Sequence, residues 1–172
     1  MIEAISDAVA QKIKQANPDE TASVEKMKYA LAMSISTSLI IASTLLIGAW
    51  TGMFPETLRA LIAFAVLRRF SGGHHAKDLT TCFVVSTALL STIPHIQIAP
   101  DYLWLINSFS LVIVLFYAPS NCIVNNIADR DKSLYQTIAI LIVIAGYFIQ
   151  MSEVTLAFLA QSLLLLGKGG DK

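Results

Sequence analysis

Charged side chains are scarce in this chain, and their scarcity argues against a water-soluble globular domain. Only 14% of the 172 residues are charged, whereas 55% are hydrophobic and the mean hydropathy is +0.65. Soluble domains carry about 25% charged residues, which they need to cover an apolar core with a polar surface. The composition therefore predicts an integral membrane protein, with residues 1–172 forming a single polytopic domain.

The chain also has no excess of positive or negative charge, and it has few cysteines. Twelve basic residues balance twelve acidic ones, so the net charge indicates no nucleic acid partner. Only Cys82 and Cys122 are present, which is too few for the disulfide framework of a secreted domain. A cleavable signal peptide is not expected either, because the N-terminus is amphipathic and charged rather than apolar.

Residues 1–17 predict an amphipathic helix. Ile2, Ile5, Val9 and Ile13 recur at helical spacing, with charged and polar residues between them. Such a helix lies in the membrane interface or packs against a helical bundle, and we take the interface as our interpretation. Pro18 breaks the pattern, and we expect it in the first turn of the next helix.

Six apolar segments follow and predict an all-α helical bundle over residues 29–166. Several are shorter than the roughly 20 residues that a perpendicular span needs. We therefore expect about six transmembrane or partly re-entrant helices, with four spans as the alternative. The segments are residues 29–50, 56–67, 79–98, 102–117, 134–149 and 154–166.

The basic residues predict the orientation of these segments. If the N-terminus is cytoplasmic and the chain crosses six times, eleven of the twelve basic residues fall on the cytoplasmic side. The exception is Arg59, one turn into the second apolar segment. Both termini and the loop that contains residues 68–82 are therefore predicted to face the cytoplasm.

The loop between the second and third apolar segments gathers reactive side chains. A thiol and an imidazole make a nucleophile and its base, and here His75 precedes Cys82 by seven positions. Along one straight helix these residues would be about 10.5 Å apart. His75 should therefore lie on a loop that folds back over the helix, which the flexible Gly72-Gly73 pair permits.

The predicted start of the third apolar segment would make the Cys82 thiol more reactive. Asp78 is a candidate N-cap, which would place Cys82 in the first turn or so of a membrane helix. The N-terminus of a helix and nearby Arg68 or Arg69 favour a thiolate.

Other interpretations of these residues stay open. The two arginines are also typical interfacial anchors, and Cys82 is also typical of an apolar core thiol. The set His74, His75, Asp78 and Cys82 lacks recognisable metal-ligand spacing, so no metal site is predicted. The motif would only cap a helix in a non-enzymatic transporter or partner-binding subunit. A metal-binding membrane protein is a second alternative. No charged residue inside the confident spans marks an ion path, which argues against a transporter.

Residues 68–82 resemble the core motif of the accessory gene regulator B (AgrB) family, membrane endopeptidases of bacterial peptide quorum sensing. The family pattern is an arginine, a glycine pair, a variable residue, His-Ala, and a cysteine seven positions after the histidine. Here these positions are Arg68 or Arg69, Gly72-Gly73, His74, His75-Ala76 and Cys82. The resemblance implies that His75 is the general base and Cys82 the nucleophile, with no cofactor.

The resemblance also implies a substrate and partners. The substrate would be an AgrD-like precursor peptide with an amphipathic leader and an acidic tail. Cys82 would cut off the tail and hold the remainder as a thioester, which an internal cysteine or serine then closes into a thiolactone or lactone ring. Arg68 and Arg69 would hold the acidic tail. A homodimer in the bacterial cell membrane is the implied assembly.

One segment departs from the family pattern. Family members commonly show Ala-Pro after the fourth helix and then an acidic residue within two positions. This chain has Ala118-Pro119 followed by Ser120 and Asn121. We interpret Asn121 as a supporting residue that orients His75, as asparagine does in other Cys-His enzymes. Cys122, in the same loop, is interpreted as structural.

Overall fold

A computed structural model describes residues 2–18, 21–73, 79–120 and 131–166 of the chain. The described part contains helices and no named strand, in agreement with the predicted all-α class. We number the α-helices α1 to α7 in chain order. They are α1 (Ile2–Ala16), α2 (Val24–Trp50), α3 (Phe54–Ser71), α4 (Leu79–Thr92), α5 (Pro100–Tyr117), α6 (Lys132–Ile149) and α7 (Ser152–Leu165), with a 3₁₀ turn at Ile93–His95 after α4.

Within the described ranges, three helices are long and apolar enough to cross a membrane, by length and composition alone: α2, α5 and α6. The helical stretch Leu79–His95 and helix α7 are also apolar but shorter. Helix α3 has 18 residues but contains four charged side chains, Glu56, Arg59, Arg68 and Arg69. The structure therefore supports a membrane protein with three candidate spans, and the predicted count of about six is not confirmed.

Two predicted helix boundaries are wrong, and proline accounts for both. Pro18 lies in a turn and does not open the second helix, because α2 begins at Val24. The residue before a proline avoids helical geometry, so α1 already ends at Ala16. The segment predicted as helix to residue 98 ends at His95, because Pro94 lacks an N–H and its ring crowds the preceding turn.

The described residues form two compact units, and the first contains α1 with the earlier parts of α2 and α4. Ser6 and Ala10 of α1 are fully buried, whereas Ile5, Val9 and Ile13 are 49%, 37% and 39% exposed. Helix α1 therefore packs through its small residues and leaves its apolar stripe uncovered. Whether that stripe lies in a membrane interface remains a prediction.

The second unit contains the end of α2, α3, the end of α4 and α5 to α7. Helices α5, α6 and α7 approach closely at Gly146, where a Cβ atom would lie 2.8 Å from Asn107 Oδ1 and 3.0 Å from Phe158 Cε2. Asn107 is buried, and its Nδ2 donates a hydrogen bond of 2.9 Å to the carbonyl oxygen of Val143. Small residues and interhelical hydrogen bonds of this kind join helices in membranes.

Helices α3 and α7 are tied together at their starts by an ion pair. Nε of Arg59 donates to Oε1 of Glu153 at 2.7 Å, and Nη2 of Arg59 donates to Oε1 of Glu56 at 3.0 Å. Arg59 is the single basic residue that the charge pattern places away from the predicted cytoplasmic side. The two carboxylates neutralise that charge, which explains how this position accommodates an arginine.

Candidate functional site

The candidate site begins where α3 ends. Gly72 follows the last helical residue with φ 72° and ψ −139°, and its N–H donates to the carbonyl oxygen of Arg68 at 3.0 Å. Gly73 has φ 135°. Both φ values are positive, a range that residues with a Cβ atom rarely adopt. The glycine pair thus provides a sharp exit from the helix, and its second residue lies two positions before the predicted base, His75.

Gln161 of α7 holds this exit in place. Its side chain is fully buried, and Nε2 donates to the Gly72 carbonyl oxygen at 2.7 Å and to Ser71 Oγ at 3.0 Å. Its Oε1 accepts a hydrogen bond of 3.2 Å from Nη1 of Arg68. The amide therefore uses both of its N–H donors and its carbonyl oxygen on the last turn of α3.

Sequence reasoning missed Gln161. A signal was present, since Gln161 interrupts the apolar run of α7 and a buried amide needs hydrogen-bond partners. The sequence does not reveal which groups supply them, because Arg68 and Gln161 are 93 positions apart.

The segment after α5 lies against the same exit. The backbone N–H of Ser120 donates to the carbonyl oxygen of Ser71 at 3.0 Å, and Ser120 pairs with Gly72 in an isolated parallel bridge. The Ala118-Pro119 peptide bond that precedes it is cis. The structure thus brings the Ala-Pro segment next to the glycine pair. The described part of that segment ends at the residue before Asn121.

The two arginines of the motif have different surroundings. Arg68 is half-buried, is hydrogen-bonded to Gln161, and has its guanidinium carbon 5.8 Å from the ring centroid of Phe64. Arg69 is exposed, and its guanidinium carbon lies 5.6 Å from the ring centroid of Tyr135. Among the described residues no carboxylate lies within ion-pair distance of Arg69. Arg68 therefore belongs to the packed end of α3, and Arg69 presents its charge outward.

Cys82 is the fourth residue of α4, so the prediction that it lies in the first turn or so of that helix is confirmed. It is half-buried and forms no disulfide. It belongs to the first compact unit, and the glycine pair to the second.

Several predicted residues lie outside the described part of the chain. These are His74, His75, Asp78, Asn121 and Cys122. The base, the N-cap, the supporting asparagine and the structural cysteine therefore stay predictions. Within the described ranges, no three His, Cys, Asp or Glu side chains are grouped so that they could hold a metal ion.

Comparison with known proteins identifies relatives of this chain. The sequence profile of the family described as Accessory gene regulator B matches residues 6–166. An AgrB-like protein of Halalkalibacterium halodurans is 23% identical over 171 residues, which cover 96% of this chain and 87% of that protein.

Two further relatives match parts of the chain. Accessory gene regulator protein B of Staphylococcus saprophyticus is 26% identical over 125 residues, covering 69% of this chain and 65% of that protein. AgrB-like protein 2 of Clostridium perfringens is 30% identical over 82 residues, covering 48% and 38%. No solved structure matches the chain.

Substitution of Gly73 by alanine, which adds a Cβ atom, tests the close approach of Gly73 and Gln161. A Cβ atom on Gly73 would lie 3.2 Å from Gln161 Nε2, in addition to the cost of φ 135°. Gly52 is the matched control, because it has φ 74° but nothing within 4 Å of a Cβ atom. We expect Gly73→Ala to lower the free energy of unfolding by about 1–3 kcal/mol.

Gly52→Ala should cost about 1 kcal/mol, from backbone strain alone. Thermal unfolding of both variants in the same detergent measures the difference. An unfolding midpoint for Gly73→Ala equal to or above that of Gly52→Ala would contradict the close contact with Gln161.

Proposed function

Since this chain belongs to the accessory gene regulator B family, whose members process the AgrD precursor, we propose that it is a membrane cysteine endopeptidase and peptide cyclase. In this proposal Cys82 is the nucleophile and His75 is its base. The observation that supports it is the local structure at each end of the family motif. The arginine and glycine pair form a tightly hydrogen-bonded helix end, and Cys82 is a half-buried thiol in the first turn of α4.

The first step of the proposed reaction cuts the precursor. His75 takes the proton of the Cys82 thiol, and the sulfur attacks the carbonyl carbon that precedes the acidic tail. The peptide C–N bond breaks, and the proton on His75 passes to the nitrogen of the departing tail. The remainder of the peptide is then a thioester on Cys82.

The second step closes a ring. A cysteine thiol or serine hydroxyl within the bound peptide gives its proton to His75 and attacks the thioester carbon. The bond to Cys82 breaks, and the sulfur recovers the proton from His75. Every proton that is removed is returned, so the two steps need no oxidant, reductant or cofactor.

A cyclase must keep water from the thioester long enough for the internal nucleophile to react. Cys82 is followed by Phe83, Val84 and Val85 in an apolar helix, which would limit access of water. Binding of the peptide leader to the membrane would raise the effective concentration of the internal nucleophile.

We propose separate roles for the two arginines. Arg68 is bound to Gln161 and packed on Phe64, so it holds the end of α3. Arg69 is exposed and stacks on Tyr135, so its guanidinium group is available to the acidic tail of the precursor. A planar guanidinium suits a carboxylate because it donates two parallel hydrogen bonds.

Asn121 completes the proposed site. Ser120, the residue before it, is hydrogen-bonded to Ser71 at the exit from α3. This contact joins the residue before Asn121 to Ser71, four positions before His75. We propose that the Asn121 side chain orients the imidazole of His75, as asparagine does in other Cys-His enzymes.

The proposed location is the bacterial cell membrane, crossed several times, with both termini and residues 68–82 on the cytoplasmic side. The basic residues support this orientation. The exposed stripe of Ile5, Val9 and Ile13 supports a place for α1 in the membrane interface. The homodimer that the family resemblance implies remains a prediction.

The nucleophile is tested by three single substitutions. Cys82→Ala should abolish cleavage of the precursor, because no other group replaces the thiolate, and His75→Ala should do nearly the same. Cys122→Ala is the control and should cleave at close to the wild-type rate. Cleavage is followed by mass spectrometry after reconstitution in lipid vesicles with an AgrD-like peptide. Full cleavage by Cys82→Ala would reject the enzyme and favour a non-enzymatic partner-binding subunit.

The role of Arg69 is tested with variants of both enzyme and peptide. Arg69→Gln should raise KM for the precursor roughly three- to tenfold and leave kcat nearly unchanged, because a charged hydrogen bond to the tail is lost at a solvent-exposed site. A precursor whose tail carboxylates are replaced by amides should show no such difference between Arg69→Gln and wild type. An equal loss with both peptides would show that Arg69 does not bind the acidic tail.

The orientation is tested by labelling single introduced cysteines in a chain without its own two. An impermeant reagent applied to intact cells should miss a cysteine at position 77 or 172 and should reach one at position 97. We expect this because the basic residues near positions 77 and 172 favour the cytoplasmic side of the membrane. Strong external labelling at position 77 would place the reactive loop on the outer side.

A further inference from the structure

Gln161 is a polar side chain at a position where packing alone would favour an apolar one. It lies in an apolar helix, its side chain is fully buried, and its three hydrogen bonds all reach residues of one short segment, Arg68 to Gly72. A leucine would fill a similar volume without the cost of desolvating an amide. Gln161 therefore fixes the position of that segment through hydrogen bonds, which an apolar side chain of the same volume could not do.

The shortest of these contacts acts on the peptide group between the two glycines. Gln161 Nε2 donates to the Gly72 carbonyl oxygen at 2.7 Å, which fixes the plane of the Gly72–Gly73 peptide. Glycine has no side chain to restrict its backbone, so an outside contact is needed to select one conformation. The same amide nitrogen would lie 3.2 Å from a Cβ atom on Gly73, so Gln161 borders both glycines.

Gly73 is followed by His74 and by His75, which the proposed function makes the base. The Ser71 carbonyl oxygen is meanwhile held by Ser120, so the exit from α3 is fixed by contacts from two other parts of the chain. The last peptide described before His75 is therefore held in one orientation by Gln161.

We propose that Gln161 is a positioning residue of the peptidase: it fixes the Gly72–Gly73 peptide, and the proton transfer from Cys82 to His75 depends on the orientation of that peptide. This inference rests on the proposed function. Gln161 touches neither the peptide nor the thiol in this account. It acts through the backbone that leads to the base.

Three variants separate this role from a packing role. Gln161→Leu keeps the volume and removes every hydrogen bond of the amide. Gln161→Glu keeps the shape and an acceptor for Arg68 but removes the donor to the Gly72 carbonyl oxygen. Ser162→Ala is the matched control, because Ser162 is also buried in α7 but donates to Phe158 and Ser110.

The kinetic test uses the full-length protein in lipid vesicles with an AgrD-like precursor, below the unfolding midpoint of every variant. Gln161→Leu and Gln161→Glu should each lower kcat by roughly ten- to a hundredfold with KM little changed, because proton transfer depends steeply on the geometry of the catalytic groups. Ser162→Ala should keep the wild-type kcat. A wild-type kcat in Gln161→Glu would overturn the proposal.

A second readout needs no peptide. In a Cys122→Ala background, the rate of Cys82 alkylation by iodoacetamide reports how well the base activates the thiol. A positioning role predicts that Gln161→Leu slows alkylation to the level of His75→Ala, whereas a packing role leaves the rate unchanged and so contradicts the inference.

Cys82→Ala is measured in parallel. If that variant still cleaves the precursor, the proposed function fails. If it is inactive while both Gln161 variants keep the wild-type kcat, only the role of Gln161 fails.

Discussion

The requirement that buried polar groups be hydrogen-bonded governs the arrangement around the candidate site. The last carbonyl groups of a helix have no partner within it, and in an apolar environment each unpaired group costs several kcal/mol. At the end of α3 the Ser71 and Gly72 carbonyl oxygens receive hydrogen bonds from Ser120 and Gln161. These two hydrogen bonds bring the segment after α5 and helix α7 next to the glycine pair. They thereby form the packing around this part of the motif.

The same requirement distinguishes two adjacent arginines. Arg68 donates to Gln161, and Arg69 directs its guanidinium group outward over Tyr135. Successive helical residues point about 100° apart, so a neighbouring pair readily divides between a packed face and an exposed one. Arg68 is therefore bound within the packed end of α3, and Arg69 presents its guanidinium group outward.

Much of the fold follows from hydropathy, because apolar runs and glycine turns are local properties. The six apolar segments correspond to α2 to α7, and Cys82 lies in the first turn of its helix. The sequence alone predicts Pro18 in a helix, because a first-turn proline and a turn proline look alike in sequence. Gln161 and the division between Arg68 and Arg69 were missed because they depend on contacts between residues far apart in the chain, for which the sequence has no local pattern.

The most direct test of the proposed reaction is to detect the acyl intermediate on Cys82 that waits for an internal nucleophile. A precursor whose ring-forming cysteine is replaced by alanine is incubated with the protein, and intact-protein mass spectrometry is followed by peptide mapping. The account predicts release of the tail and a hydroxylamine-sensitive adduct on Cys82 with the mass of the remaining peptide. Free linear peptide without any adduct, even at the shortest times, would contradict it.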